Sequence, residues 1–404
     1  MTRKGRQPST PQVSNEQKKR RTMPEQQQPD PHVPYRVYKM DISYFSGKFE
    51  AYLRYKGIPY TPVETDAKVF KRVYAHTGIQ KVPAVETADG KWLFDTTPMI
   101  RWFETQYPEP PVLPSDPALA FIALLIEDYG DEWLWRPAMW WRWVPRVSRW
   151  ALGWRIAGAI VPAPFTRLYG WLFGQRQLRE WVWGDGVTHK NSDTVRDMLF
   201  RELAFLEAVL SDQPFLLGSH PSVADFGYFA SMFRHFGNDP DPAEVMRRQA
   251  PRTYEWLARL WNLSIDRLPP DPEWVWPGAD YWRPLLNRIV KDYLPYLHQN
   301  ARAHHEGRKR FDYQGETSRF PKTKTTTYRV WCREVLQQRY SEMPVDARKK
   351  VDDLFAGSGG LAILFADGVI ASGLAGRFQL PLDPNTADPV KKSLKIALFG
   401  QPRN

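Results

Sequence analysis

Cysteine is nearly missing: Cys332 is the single one in 404 residues. That excludes a disulfide framework and a cysteine-rich zinc site, and it points to a reducing compartment. No apolar run approaches the ~20 residues that a membrane span needs. Residues 1–34 contain no apolar core segment, so no secretory signal is read there. The histidines, His304-His305 included, show no metal-ligand spacing, and Gly357 to Gly360 (G-S-G-G) lacks the Lys-Ser/Thr of a phosphate loop. Those four residues read instead as a helix stop. No internal repeat is present.

What is present is a sizeable potential core, 42% hydrophobic and 25% charged, in a chain long enough for two or three domains. The net charge of +11 leaves attraction to nucleic acid or anionic lipid open. A basic tail and a Trp/Arg-rich stretch on a merely soluble protein would account for it equally well. Residues 1–34 are polar, rich in Pro and Gln, and cannot offset their ordering entropy by burial; they are predicted to be a disordered basic tail. Lys18 to Arg21 (KKRR) reads as a solvated charge run within it.

From Tyr35 the pattern changes. YRVYKMDI alternates as a strand, and Ser46 to Lys56 places Phe49, Tyr52 and Leu53 on one helical face with Gly57 as the stop. A second strand (IPYTPVE) and a short helix over Ala67 to His76 follow. VPAVETADGKWLF then predicts a hairpin turning at Asp89-Gly90. A helix from Thr96 to about Tyr107 ends before a proline-rich boundary, PEPPVLPSDP. The order β-α-β-α-β-β-α defines a small mixed α/β domain over 35–112. After Pro117 strand signals stop: helical spacing in ALAFIALLIEDYGDEWLW and SDTVRDMLFRELAFLEAVLSD predicts an all-helical domain over 113–270. Residues 271–404 form an extension, helical in parts, with a polar loop at Asp312 to Thr327.

Four segments carry a resemblance. Ser43 to Gly57 (SYFSGKFEAYLRYKG) is similar to the first strand-loop-helix of serine-type glutathione transferases. Gly78 to Val85 (GIQKVPAV) and Asp89 to Met99 (DGKWLFDTTPM) resemble that superfamily's next two signatures. Pro214 to Phe226 (PFLLGSHPSVADF) resembles its helical-domain motif. They stand in the family's order over roughly Tyr35 to Leu260. The resemblance implies a thioredoxin-like glutathione-binding domain followed by an all-α second-substrate domain, with a long C-terminal extension added.

It also implies a site. Glutathione would lie along the strand edge at Val82, before a cis Pro83, exchanging main-chain hydrogen bonds. Asp95 would pair with the γ-glutamyl ammonium. Thr96 and the helix amides behind it would take the γ-glutamyl carboxylate, although Asp or Thr there also serves as a plain helix cap. Lys81 would face the glycine carboxylate. Ser43, Tyr44 and Ser46 are the candidate donors to the glutathione sulfur, with the family's Ser-Pro replaced here by Ser43-Tyr44. Ser222 and Asp225 form a capping box and are structural. No metal is implied, and no cysteine in the first domain supports redox chemistry.

The Trp/Arg-rich stretch from Trp133 to Trp183 admits three readings: core packing with a solvated arginine stripe, an aromatic second-substrate pocket, or contact with a membrane interface. The function implied is a glutathione-dependent transferase attacking an apolar, aromatic-type electrophile, detoxifying, cytoplasmic and homodimeric, without specific nucleic acid. The alternative is a non-catalytic protein of the same fold that binds a partner or a membrane surface.

Overall fold

The computed structural model describes residues 33–161 and 164–383. The basic tail expected over 1–34, with its KKRR run, therefore lies almost wholly outside the described residues.

The first domain opens with β1 (Tyr35–Lys39), whose Val37 is buried in the main core while Tyr38 faces the opposite side. The helix α1 (Tyr44–Tyr55) follows, then β2 (Thr61–Glu64), α2 (Ala67–Thr77), β3 (Ala84–Thr87), β4 (Trp92–Phe94) and α3 (Thr96–Gln106). Gly57 and Gly90 adopt positive φ, 64° and 78°, at the helix stop and hairpin turn where those residues were expected to break the chain. The sheet order is β2-β1-β3-β4, with β1 parallel to β2 and antiparallel to β3. This is the thioredoxin-like arrangement. One row of the sheet runs Tyr38, Ala84, Phe94 across three strands. The loops leaving that row, 40–43, 82–83 and 95–96, are thereby gathered at one end of the sheet.

Among the described residues the second region has eight α-helices, joined in places by short π and 3-10 turns: α4 (Pro117–Asp128), α5 (Trp135–Trp143), α6 (Arg146–Ile160), α7 (Thr166–Gln177), α8 (Ser192–Asp212), α9 (Val223–Ser231), α10 (Pro240–Gln249) and α11 (Pro251–Trp261). The capping box at the head of α9 is formed. Buried Asp225 accepts from the Ser222 amide and hydroxyl, the Leu216 amide and the Trp256 indole N–H. Arg142, held bidentate by Asp239 within the helical region, ties that region to the first by donating to the Ile42 carbonyl.

The extension adds α12 (Arg283–Arg288), α13 (Leu294–His305), β5 (Arg310–Gln314), β6 (Arg319–Lys324), α14 (Thr327–Glu342), α15 (Val345–Ala356) and α16 (Ala362–Phe365). Here one expectation is corrected. The stretch 312–327 is not simply a polar loop, because β5 and β6 pair antiparallel across it. Phe311 and Tyr313 of β5 point inward while their polar neighbours face water, so a polar composition concealed a two-residue alternation; in β6 Phe320 and Thr323 point inward across an irregularity at Lys322 (φ 51°). The extension is part of one continuous core. Trp133 of the helical region sits within 6.2 Å of the rings of Tyr293, Tyr296, Tyr313 and Phe320. Buried Glu202 on α8 accepts from Tyr129, Tyr228 and, across the boundary, Arg288.

Candidate functional site

The gathered loop end of the sheet brings Ser43, Lys81, Val82, Pro83, Asp95 and Thr96 together. Val82-Pro83 is cis. The Ser43 hydroxyl lies 3.4 Å from the Val82 carbonyl oxygen and caps α1 by accepting from the Ser46 amide. The Val82 amide donates no hydrogen bond among the described residues, which leaves a free main-chain donor beside the start of α1, while the Val82 carbonyl accepts from Ser43. Ser43 is half-buried and open to the groove.

The other two hydroxyls are placed differently. Tyr44 is buried, and its OH donates at 2.5 Å to the Gly130 carbonyl of the helical region. Burial, with Asp131 nearby, pushes its phenol well above the ordinary value. Ser46 is fully buried and its Oγ accepts from the Met40 amide. Only Ser43 of the three presents its oxygen to the groove.

Asp95 heads α3 at φ 68°, a backbone position that side-chain-bearing residues seldom adopt, and its carboxylate makes no cap to its own helix. Plain helix capping is therefore not what this carboxylate does. Oδ1 accepts from the Tyr328 hydroxyl at 2.9 Å, and Oδ2 has no hydrogen-bond partner among the described residues. Burial raises the carboxyl to about 6, against the lowering effect of Tyr328, Lys81 and Lys48. Behind it the amides of Thr96 and Thr97 stand unpaired at the positive end of α3, and Pro98 removes the next donor. Lys81 is exposed at the rim.

Two residues escaped the sequence reading. Lys48 on α1 is fully buried and donates to Glu127 at 2.6 Å, to Asp131 and to Thr97 at 3.4 Å, while Thr97 donates to Glu127. This cluster ties the first turn of α3 to α1 and α4, and so fixes where Thr96 stands. An amphipathic reading of α1 treats a lysine as solvent-facing, so only its acidic partners could have revealed it. Tyr328 lies 233 residues beyond Asp95 in the extension, outside every motif, and no local signal marks it. Around it, Trp331 and Phe378 pack at 4.3 Å, Phe378 meets Phe94, and Leu382 bridges Trp92 on the free edge of β4. The extension thus walls one end of the groove.

On the opposite side Phe45, at the start of α1, stacks on Trp135 with Trp181 edge-on at 5.6 Å from Trp135. All three are half-buried and form an aromatic wall next to Ser43. Trp133, Trp140, Trp141 and Trp143 are buried, so the first half of the Trp/Arg stretch is core. The described residues hold no cluster of three or more metal-ligating side chains, and no helix among them is long and apolar enough to cross a membrane.

A mixed sheet of this order, a groove at its loop end and a following helical domain define a glutathione-transferase-type fold. Residues 37–111 match the family model for the glutathione S-transferase N-terminal domain, and residues 183–259 match that for the C-terminal domain. The chain thus carries the N- and C-terminal domains of the glutathione S-transferase superfamily over those residues. Among solved structures it is similar to a glutathione S-transferase from Rhodospirillum rubrum F11 (17% identity, 58% of this chain and 96% of that one, TM-score 0.38). It is also similar to one from Methylobacterium radiotolerans in complex with glutathione sulfonate (18%, 56% and 89%, 0.37). A third is a beta-etherase from Sphingobium sp. strain SYK-6 (21%, 56% and 94%, 0.40). Comparison with curated proteins gives no match.

Proposed function

We propose that this protein binds glutathione in the groove between Ser43, Val82 and Asp95 and activates its thiol for attack on an apolar, aromatic electrophile. The observation that carries this is the convergence of four complementary groups: an unpaired main-chain amide at Val82, a half-buried hydroxyl on Ser43, a free carboxylate oxygen on Asp95, and open amides at the head of α3. Each would match one part of a γ-glutamyl tripeptide, and exposed Lys81 is assigned to its glycine carboxylate. A free thiol titrates near ~8.5, so little is ionised at neutral pH. A hydrogen bond from Ser43 and the positive end of α1 favour the thiolate. With an activated aryl halide seated on Phe45, Trp135 and Trp181, the C–S bond forms, the carbon–halogen bond breaks, and the thiol proton passes to solvent as halide leaves. A homodimer and a detoxifying, cytoplasmic role belong to the same reading and rest on family resemblance.

A hydrogen bond to a charged acceptor is worth ~1.5–3 kcal/mol, so Ser43→Ala should slow aryl halide conjugation at neutral pH by about 10–100-fold and raise the pKa of bound thiol. Unchanged conjugation by that variant would remove Ser43 from the mechanism. One observation favours a second reading, a non-catalytic protein that keeps the fold: Tyr328 and its aromatic neighbours cover the γ-glutamyl end. Failure of the full chain to bind immobilised glutathione would leave that reading standing.

A further inference from the structure

The helical hairpin α6–α7 is built inside out. Its two helices cross at glycines: a side chain on Gly153 would strike the Gly170 carbonyl at 2.4 Å, and one on Gly170 would strike Gly153 at 3.0 Å. Small residues thus fill the contact; Leu152 and Ile156 pack into the core, but most of the other large apolar side chains are turned to solvent. Of thirteen large apolar side chains exposed among the described residues, seven lie here: Val147, Trp150, Trp154, Phe165, Leu168, Trp171 and Leu172. Trp150, Trp154 and Trp171 are 56%, 45% and 60% exposed. A water-facing hairpin would place such groups inward; small-inside, large-outside packing is how helices associate where the surroundings are lipid.

Charge points the same way. From Trp133 to Arg179 the chain contains eight arginines and no Asp or Glu. Between the helices lies a cavity of about 220 Å³, lined by Arg146, Arg149, Arg167, Trp150, Trp154 and Trp171. Arg149 donates to the carbonyls of Trp143 and Val144, while Arg146 and Arg167 have no acidic partner among the described residues. Guanidinium groups in a cleft suit a phosphate, and the tryptophans at its rim suit the headgroup level of a bilayer.

We infer that α6–α7 is a peripheral docking surface for an anionic phospholipid membrane, with a headgroup phosphate in the arginine cleft and the Trp/Leu fringe entering the interface. No described helix spans a bilayer, so the hairpin lies on it. Exposed aliphatic Val147, Leu168 and Leu172 match acyl chains and offer nothing to a nucleotide base, which favours lipid over single-stranded nucleic acid.

Co-sedimentation of the full chain with phosphatidylcholine vesicles, with and without phosphatidylglycerol, tests this. Pelleting should require the anionic lipid and weaken as salt rises. Arg146→Gln with Arg167→Gln should lower the partition coefficient about 25-fold, at roughly fivefold per arginine near the surface. Trp150→Ser with Trp171→Ser should lower it too, including at high salt. Circular dichroism and glutathione retention serve as controls, since all four side chains are exposed or at the rim. Equal pelleting with neutral and anionic vesicles, or none, would overturn the inference. So would a self-association abolished by the tryptophan variants without vesicle binding, or retention by single-stranded oligonucleotide in its place. Glutathione retention reports on the groove separately.

Discussion

Asp95→Asn separates ligand binding from folding at the groove. The Asp95 carboxyl stands at about 6, raised mainly by burial, and must be ionised to pair with an ammonium. Below that value it is protonated, so glutathione affinity should fall as pH drops, by about tenfold between pH 7 and pH 5. A free thiol (~8.5) and an α-carboxyl (~3.5) titrate outside that window, and a thiol lowered in the groove contributes equally to Asp95→Asn and the parent, so the difference between their profiles reads Asp95. In the Asn variant the charge-assisted pair is replaced by a neutral contact, and affinity at pH 8 should fall by about 10–100-fold, the equivalent of ~1.5–3 kcal/mol. The part of the pH 5–7 dependence that Asp95 supplies should vanish with it. Stability moves the other way. A carboxyl whose folded pKa is raised stabilises the fold below its unfolded value near 4, and that contribution is lost as pH rises through 6. A shift of roughly two units makes the loss up to about 3 kcal/mol, at 1.36 kcal/mol per unit. Asn also tolerates the positive φ of this position. The variant should therefore bind more weakly and unfold at higher urea at pH 8. Tyr328→Phe removes the hydrogen bond that lowers the carboxyl, so its binding midpoint should move to higher pH. Isothermal titration with glutathione from pH 5 to 8.5 reads all three proteins. Equal affinity and equal pH profiles in Asp95→Asn and the parent would refute the pairing.

Two further outcomes concern the frame of the site. Lys48→Met leaves Glu127 and Asp131 buried without their cation, and should cost about 3–5 kcal/mol in urea unfolding at pH 8. The deficit should shrink at pH 5, because burial already pushes the Asp131 carboxyl well up and without its cation it protonates; a pH-independent loss would show that packing, not charge, is what the lysine supplies. Gly227→Ala would drive a methyl group to 2.6 Å from Glu127 Cα, forcing α9 from α4, and should cost about 1–3 kcal/mol. An unchanged melting temperature would mean that the two helices part freely.

What the sequence made legible followed from local signals. Alternation in β1, Gly57, Asp89-Gly90 and the proline-rich boundary each act within a few residues, and the elements fall within two or three residues of where those signals put them. The groove loops were legible for a related reason: a strand order fixed by short connections leaves 40–43, 82–83 and 95–96 at one end. The choice among Ser43, Tyr44 and Ser46 was not legible, because three successive hydroxyls differ only in which way helix α1 turns them, and that is set by Gly130 and Met40. Lys48 and Tyr328 were hidden more deeply, since each acts through partners 79 and 233 residues away. The Trp/Arg stretch shows the same limit from the other side. Its two halves have one composition, yet Arg136 lies buried over the Phe320 ring at 3.9 Å and Arg142 is locked to Asp239, whereas Arg146 and Arg167 face water. Burial there depends on whether a neighbour supplies an acid or a ring. The glycines at 153 and 170 matter for the hairpin, because helices in backbone contact there leave no room between them for large side chains such as Trp150, Trp154 and Trp171, which face out.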